Sequence, residues 1–336
     1  MTIIALIILA LKAPASQSGR EAERQDFPPD VPLLSTDDKA ELSEALRLQT
    51  ALGDQVWPGL GRASILVILY NDRYEFLIGE TSPPEPWEVI EGDNFNGKPY
   101  YRRNTSNPQA FAVQVGDRWA GSLITLDGMN RKSPLKLGRD FHVVAILHEM
   151  FHAYQAKQAL ERFKQATKLY AAEALYPSNE AEFAAAWDKE GSLLATALKA
   201  TDDSTVRRAV QDFLQVRDRR RTQAALSPDL LAYERELEWL EGLAKYIEVR
   251  LYELAASHGG DPAYSNYRPG LPYWKWDFVR LEKQLGRQDG DLRFYLSGMA
   301  QARLLDGLSP GWKETMMCSG VYLENILRAA VGLEAK

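Results

Sequence analysis

The sequence predicts an α+β protein: a small, mostly antiparallel sheet with a long helical region after it. Three observations carry this. Short runs of β-branched and aromatic residues, punctuated by turn dipeptides, fall between Ala63 and Leu126. From Phe141 onward apolar residues recur at helical spacing and strand signals become rare. The change of character falls just after Arg139, inside one chain of 336 residues, a length that suits about two domains.

Residues Thr2 to Leu11 form an apolar run. It is too short to span a bilayer, which takes about 20 apolar residues. Ala13-Pro14-Ala15 supplies a small-x-small pattern after it. Residues 1–15 therefore read as a signal peptide, and the protein as exported to the periplasm or beyond the cell. No positive charge precedes the run and Lys12 follows it, so the alternative expectation is a cytoplasmic protein. Residues 16–34, polar and proline-containing, read as a linker.

Ser35-Thr36-Asp37-Asp38 is a helix start, because a Ser or Thr hydroxyl there can accept an orphan backbone N–H. The amphipathic stretch runs to about Leu52, where Gly53 and Pro58-Gly59 are expected to end it. Ala63 to Tyr70 reads as a buried strand, and Asn71-Asp72 as the turn that returns it through Arg73 to Ile78. Thr81 to Asn107 is dense in Pro, Gly and Asn and reads as loop, with one hairpin around Asn96-Gly97. Phe111 to Val115 and Trp119 to Leu126 are two further strands. Helices are expected over 141–174, 179–199, 204–224, 229–257, 276–285, 292–306 and 321–331. This divides the chain into an α+β domain over 35–155 and a helical domain over 156–336.

Composition narrows the chemistry. Hydrophobic residues make up 45% and charged residues 26%, an ordinary globular balance. The net charge of −6 offers no general attraction for phosphate backbones, so no nucleic-acid partner is expected. Cys318 is the single cysteine, which excludes an internal disulfide and a cysteine-based zinc cage. A metal would have to be held by Asp, Glu or the four histidines His142, His148, His152 and His258.

Residues 148–152 are His148-Glu149-Met150-Phe151-His152, an H-E-x-x-H pattern. On a helix His148 and His152 lie one turn and about 40° apart, so their imidazoles can converge on one ion. Glu149 lies about 60° from His152, beside the metal position without ligating it, where it can take a proton from water. Val143 to Leu147 before the motif, and Met150, Phe151, Ala153 and Tyr154 within and after it, are apolar. The helix is therefore expected to be buried, where His, Glu and His would be costly without a partner. A metal meets that cost. Zinc hydrolases usually present three protein ligands. Position 158, where a third histidine would follow the motif closely, is Gln158. The third ligand must come from farther along: His258 in a glycine-rich loop, or the helix around Glu238 to Tyr246.

H-E-M-F-H-A-Y-Q followed at a distance by W-L-E-G-L-A-K-Y resembles the gluzincins, the thermolysin-like zinc metallopeptidases. Many members pair H-E-x-x-H with a later E-G-x-A-x-Y helix. The resemblance covers two segments of about ten residues each, the scale on which a motif match is a hypothesis. It implies a zincin-like fold, Zn2+ held by His148, His152 and Glu241, Glu149 as general base, and a peptide or protein substrate. It further implies that the strand before the active helix, near Gly121 to Leu126, is the edge along which the peptide lies. One residue departs from the pattern: some relatives carry an acid four residues after the ligand, where this chain has Lys245.

The helical wheel bears on the third ligand. Tyr233, Leu237, Leu240, Ala244, Ile247 and Leu251 form a core stripe, with Glu234, Glu238, Glu241, Lys245 and Glu248 beside it. For any one of those glutamates the plain reading is a solvated face. Glu236 falls within the apolar arc and is the rival ligand, or a partner of a metal-bound His. Gly242 favours Glu241, because a missing side chain lets another helix approach. His258, Tyr273 and Tyr295 are candidates to stabilise an oxyanion, each more simply read as a packed or surface residue. His142 reads as a capping or surface residue. Arg217 to Arg221 reads as a solvated basic face, Cys318 as a small buried residue, and Tyr295 to Ala302 as a close-packing segment near the site. The rival function is a zincin-like scaffold that binds a metal or a protein without cleaving anything.

Overall fold

The computed structural model describes residues 32–334 apart from 106–107, 134–135, 269–271 and 289. The chain separates into two compact units. One comprises Arg62–Tyr154 with the residues up to Ala51, the other Leu52–Gly61 with Gln155–Lys336. The expected signal segment lies outside the described residues, as does all of the linker before Pro32. The last linker residues are packed: Leu34 is buried and the Pro32 carbonyl accepts from Arg102 at 2.8 Å.

The first unit is α+β. Helix α1 (Thr36–Val56) opens with Ser35 and Asp38 capping each other: the Asp38 N–H donates to Ser35 Oγ at 3.0 Å and the Ser35 N–H to Asp38 Oδ2 at 3.1 Å. Gly53 does not end this helix, which runs on to Val56. A Cβ at Gly53 would lie 2.8 Å from the Gly61 nitrogen, so this glycine admits the returning loop against the helix.

Strands β1 (Leu66–Tyr70), β2 (Tyr74–Ile78), β3 (Glu88–Val89), β4 (Tyr101–Asn104), β5 (Phe111–Val115) and β6 (Arg118–Ile124) form one sheet in the order β3-β4-β2-β1-β6-β5. Every pairing is antiparallel except β1 with β6, which run parallel. The turn between β1 and β2 is held by Asn71, whose Oδ1 accepts from the Arg73 and Tyr74 N–H groups. The hairpin at Asn96-Gly97 is a single Phe95–Lys98 bridge, and both turn residues have positive φ. Strands β3 and β4 lie in the stretch read as loop. Their short length and interrupting prolines and glycines hide the alternation that marks a strand.

Strand β6 is interior, between β1 and β5, so it is not the edge that the resemblance implies; β5 is. One face of the sheet packs Leu66, Ile68, Leu77, Trp87, Tyr101, Val115 and Ala120 into a core. On the other face Gly121 stands against a helix. A Cβ there would lie 2.6 Å from the Glu149 carbonyl carbon. After α2 (Leu126–Lys132) comes that helix, α3 (Arg139–Gln158).

The second unit is helical. The expected single helix over 141–174 is broken at Ala159, where φ is −141° and ψ is 54°; α4 (Leu160–Leu169) and a 3-10 turn (Tyr170–Leu175) follow. Then come α5 (Ala181–Lys199), α6 (Asp203–Gln223) and α7 (Pro228–Leu237). A π-turn (Glu238–Gly242) joins α7 to α8 (Leu243–Ser257). Helices α9 (Pro272–Lys283), α10 (Leu292–Leu308) and α11 (Leu323–Ala330) complete it. Among the described residues no helix is long and apolar enough to cross a membrane.

The arginines of α6 are the main departure from expectation. Arg217, Arg220 and Arg221 are buried, not solvated. Arg217 pairs with Glu190, Glu238 and Glu324, Arg220 with Glu190 and Glu234, and Arg221 with Glu234 and Glu324. Each buried charge is met by opposite charges and by hydrogen bonds, which is the condition for burying it. Glu234, Glu236 and Glu238 of α7 and the π-turn are buried for the same reason, each paired with an arginine. Cys318 is exposed, contrary to expectation; its carbonyl accepts from Arg162 at 2.8 Å.

Candidate metal centre

Helix α3 carries the H-E-x-x-H segment. Val144, Ile146, Met150 and Phe151 are buried around it, and so are His148, Glu149 and His152. The apolar surroundings hold the helix down, and its backbone touches β6 at Gly121, directly beneath Glu149. The His148 and His152 rings lie 4.9 Å apart between centroids at 79°, and Phe111 of β5 packs 4.7 Å from the His152 ring. Sequence reasoning overlooked Phe111, which gave no signal beyond being an aromatic strand residue. It also overlooked Tyr70 at the end of β1. Burial, and after it the charge of Glu149, push the Tyr70 phenol above its ordinary value, so it stays protonated beside that carboxylate.

His142 lies six residues, about 1.7 turns, before the motif. It is fully buried rather than at the surface. Nδ1 stands 2.6 Å from Glu41 Oε2 and Nε2 2.8 Å from the Ile124 carbonyl, so it ties α3 to α1 and to the end of β6. Its place in an apolar helix is explained by these two partners, which lie far away in sequence.

Glu241 belongs to the π-turn. Such a turn inserts a residue into the helical spacing, loosens carbonyls from their usual partners and recurs at functional sites. Here the Trp239 and Leu240 carbonyls accept from Gln155 Nε2 at 2.8 and 3.2 Å. The turn packs on α10 through glycines: a Cβ at Gly242 would lie 2.5 Å from the Gly298 Cα. The small residues of 295–302 thus do pack closely, as their composition suggests.

Tyr170 Oη donates to Glu241 Oε1. Burial first, and then the Glu241 charge, push the Tyr170 phenol well up. Asp291 stands next along this chain. Burial, then the charge of Glu241, push its carboxyl up to about 8, against a hydrogen bond with Tyr170 that lowers it. Tyr295 lies near enough for its charge to raise Tyr170 further. Neither Tyr170 nor Asp291 carries a motif that a reading of the sequence could use.

His148, His152 and Glu241 each offer one ligand atom, and the three atoms lie within 4.8 Å of one another. All three residues are buried. Two imidazoles and a carboxylate suit zinc, which takes nitrogen and oxygen ligands and leaves a further position open in hydrolases. The rival glutamate is otherwise engaged: Glu236 pairs with Arg162 at 2.8 Å. His258 is exposed at the end of α8, its Nδ1 2.6 Å from the Leu254 carbonyl. It stands 17 positions after Glu241, roughly 25 Å along the helix at about 1.5 Å per residue, too far to serve as ligand or oxyanion donor. The Tyr273 side chain lies outside the described residues. Lys245 is buried between Glu248 at 2.6 Å and Asp277 at 2.7 Å. Burial lowers its pKa, but these two carboxylates outweigh it and hold the ammonium charged.

Comparison with known proteins finds no matching family model, no matching curated protein and no matching solved structure.

Proposed function

We propose that the protein is a zinc-dependent metallopeptidase with a zincin-like arrangement. The observation that carries this reading is the group of three buried ligand atoms, one each from His148, His152 and Glu241, within 4.8 Å of one another. Two come from the ends of an H-E-x-x-H segment whose remaining polar residue, Glu149, is also buried. When bound, zinc supplies Lewis acidity for water and for the substrate carbonyl. Glu149 takes the proton of the attacking water and delivers it to the leaving amine. Tyr170 holds the Glu241 carboxylate in place. Tyr70, kept protonated, offers a hydroxyl beside Glu149.

The test is metal content and peptide cleavage measured together. Purified wild type should hold about one zinc per chain. Glu241→Ala should lose it and Glu236→Ala should keep it. Glu149→Gln should keep the zinc and lose cleavage of a broad peptide library. Full cleavage by Glu149→Gln, or wild type that takes up no zinc when it is offered, would overturn the reading.

A second reading is a metal- or protein-binding scaffold without peptidase activity. It is favoured by Lys245, fixed as a cation by Glu248 and Asp277 where some relatives of the gluzincin type carry an acid. Wild type loaded with zinc but silent on the library would select it.

A further inference from the structure

We infer that the helical unit contains a binding site for a small oxyanion, a carboxylate or a phosphate, built around Arg293. The site is independent of the metal reading.

Arg217, Arg220, Arg221 and Arg235 are paired among Glu190, Glu234, Glu238 and Glu324. That is four arginines against four glutamates, and the set is neutral. Arg293 lies beside it as a fifth arginine, 1% exposed. Among the described residues it has no carboxylate within 4.0 Å. Its Nη2 donates to the Gln288 carbonyl at 2.7 Å, while Nε and Nη1 are buried with no hydrogen-bond partner. Its remaining contacts are ring faces, Tyr176 at 5.6 Å and Trp187 at 5.8 Å.

A guanidinium cannot shed its proton in a protein, so a buried one needs a counter-charge. Burial disfavours this cation and the Arg220 charge adds to that; Tyr176, Tyr233 and the Glu234 charge act the other way without offsetting it. The missing partner has a place to sit. A cavity of about 360 Å³ is lined by Arg293, by Arg287, and by Ser178 and Asn179. The unpartnered Nε–H and Nη1–H lie on different edges of the guanidinium, so each would give a separate charge-assisted hydrogen bond to an oxyanion oxygen, the kind of group Arg most often meets. Arg287, which also pairs with Asp188 at 3.9 Å, adds a second guanidinium at the exposed rim. Glu173 also lines the cavity, so the charged side chains there sum to one positive charge, matching a small anion rather than a large polyanion.

The test is a titration of the full chain with inorganic phosphate and, separately, with acetate, each against chloride at equal ionic strength. Melting temperature and tryptophan fluorescence are read together, since Trp187 faces the guanidinium. A saturable rise in melting temperature with either anion, beyond chloride, is expected, and the tighter of the two assigns the ligand class. Arg293→Met should weaken binding about ten- to a hundredfold, the range for losing charge-assisted hydrogen bonds. Without anion it should melt no lower than wild type, because it removes a buried unpaired charge. Arg287→Gln, at the exposed rim, should fold as wild type and bind several-fold more weakly. If Arg293→Met fails to fold, Arg287→Gln decides. No saturable response to either anion, or an equal response in wild type and in every folded variant, would overturn the inference.

Discussion

A Cβ on Gly242 would lie 2.5 Å from the Cα of Gly298, and a Cβ on Gly298 would lie 2.6 Å from the Glu238 carbonyl oxygen. The two glycines let α10 and the π-turn touch backbone to backbone, one residue from Glu241. Backbone cannot yield as a side-chain end can, so Gly298→Ala should cost about 1–3 kcal/mol, the usual cost of overpacking. It should also displace the Glu241 carboxylate and weaken zinc binding. Denaturant unfolding and chelator competition, run on the same sample, separate the two effects. Wild-type values in both would show that the crossing tolerates a methyl group.

Gly121 plays the same part under α3. A Cβ there would lie 2.6 Å from both the Glu149 carbonyl carbon and the Met150 nitrogen. Gly121→Ala should lift the helix from the sheet at the residue that carries Glu149. The expected outcome is lost stability of about 1–3 kcal/mol together with a fall in turnover larger than the fall in zinc content. Thermal melting, zinc analysis and the peptide assay check it.

Tyr170 should act on the metal through Glu241. Partners that hold a ligand in place are typically worth about 10–100-fold in metal affinity. Tyr170→Phe removes one oxygen and the hydrogen bond to Glu241 Oε1. Zinc affinity by chelator competition should fall by that amount, with the fold retained by circular dichroism. An unchanged affinity would show that the carboxylate is held by other contacts.

The buried ion network predicts acid sensitivity. Burial alone would raise Glu234 and Glu324, but Arg220 and Arg221 for the first, and Arg221 and Arg217 for the second, outweigh it and hold both carboxyls below the ordinary 4.5. A depressed folded-state pKa means that the unfolded chain binds more protons in this range. Their contribution is therefore complete above about pH 5 and is lost as pH falls through the folded-state values. Urea unfolding between pH 7 and 3 should show stability declining below that point. Glu234→Gln should unfold more easily at pH 7 by about 3–5 kcal/mol, since it leaves arginine charge buried and uncompensated. It should also show a shallower decline in acid. A variant as stable as wild type at neutral pH would contradict the arrangement.

What the sequence determines by itself is local. Short β-branched and aromatic runs bounded by turn residues mark β1, β2, β5 and β6, because both signals are written in consecutive residues. Helical periods and caps mark where the long helices start, but not the break at Ala159 or the π-turn at Glu238–Gly242. The H-E-x-x-H spacing alone puts His148 and His152 on one helix face. What only the tertiary structure decides is which polar groups meet. On the wheel Glu234, Glu238 and Glu241 share one strip and Glu236 falls in the apolar arc, and neither place says what the carboxylate meets. In the fold Glu234 and Glu238 face the α6 arginines, Glu236 faces Arg162, and Glu241 faces Tyr170. The same partners turn a basic run that reads as solvated into buried charge, and turn His142 from a surface residue into a tie between α1, α3 and β6. The π-turn is decided at that level too, because Gln155 supplies the donor for carbonyls that a regular helix would satisfy internally. A charged side chain is buried or exposed according to its partner, and the partner here lies tens of residues away, beyond the reach of any local pattern.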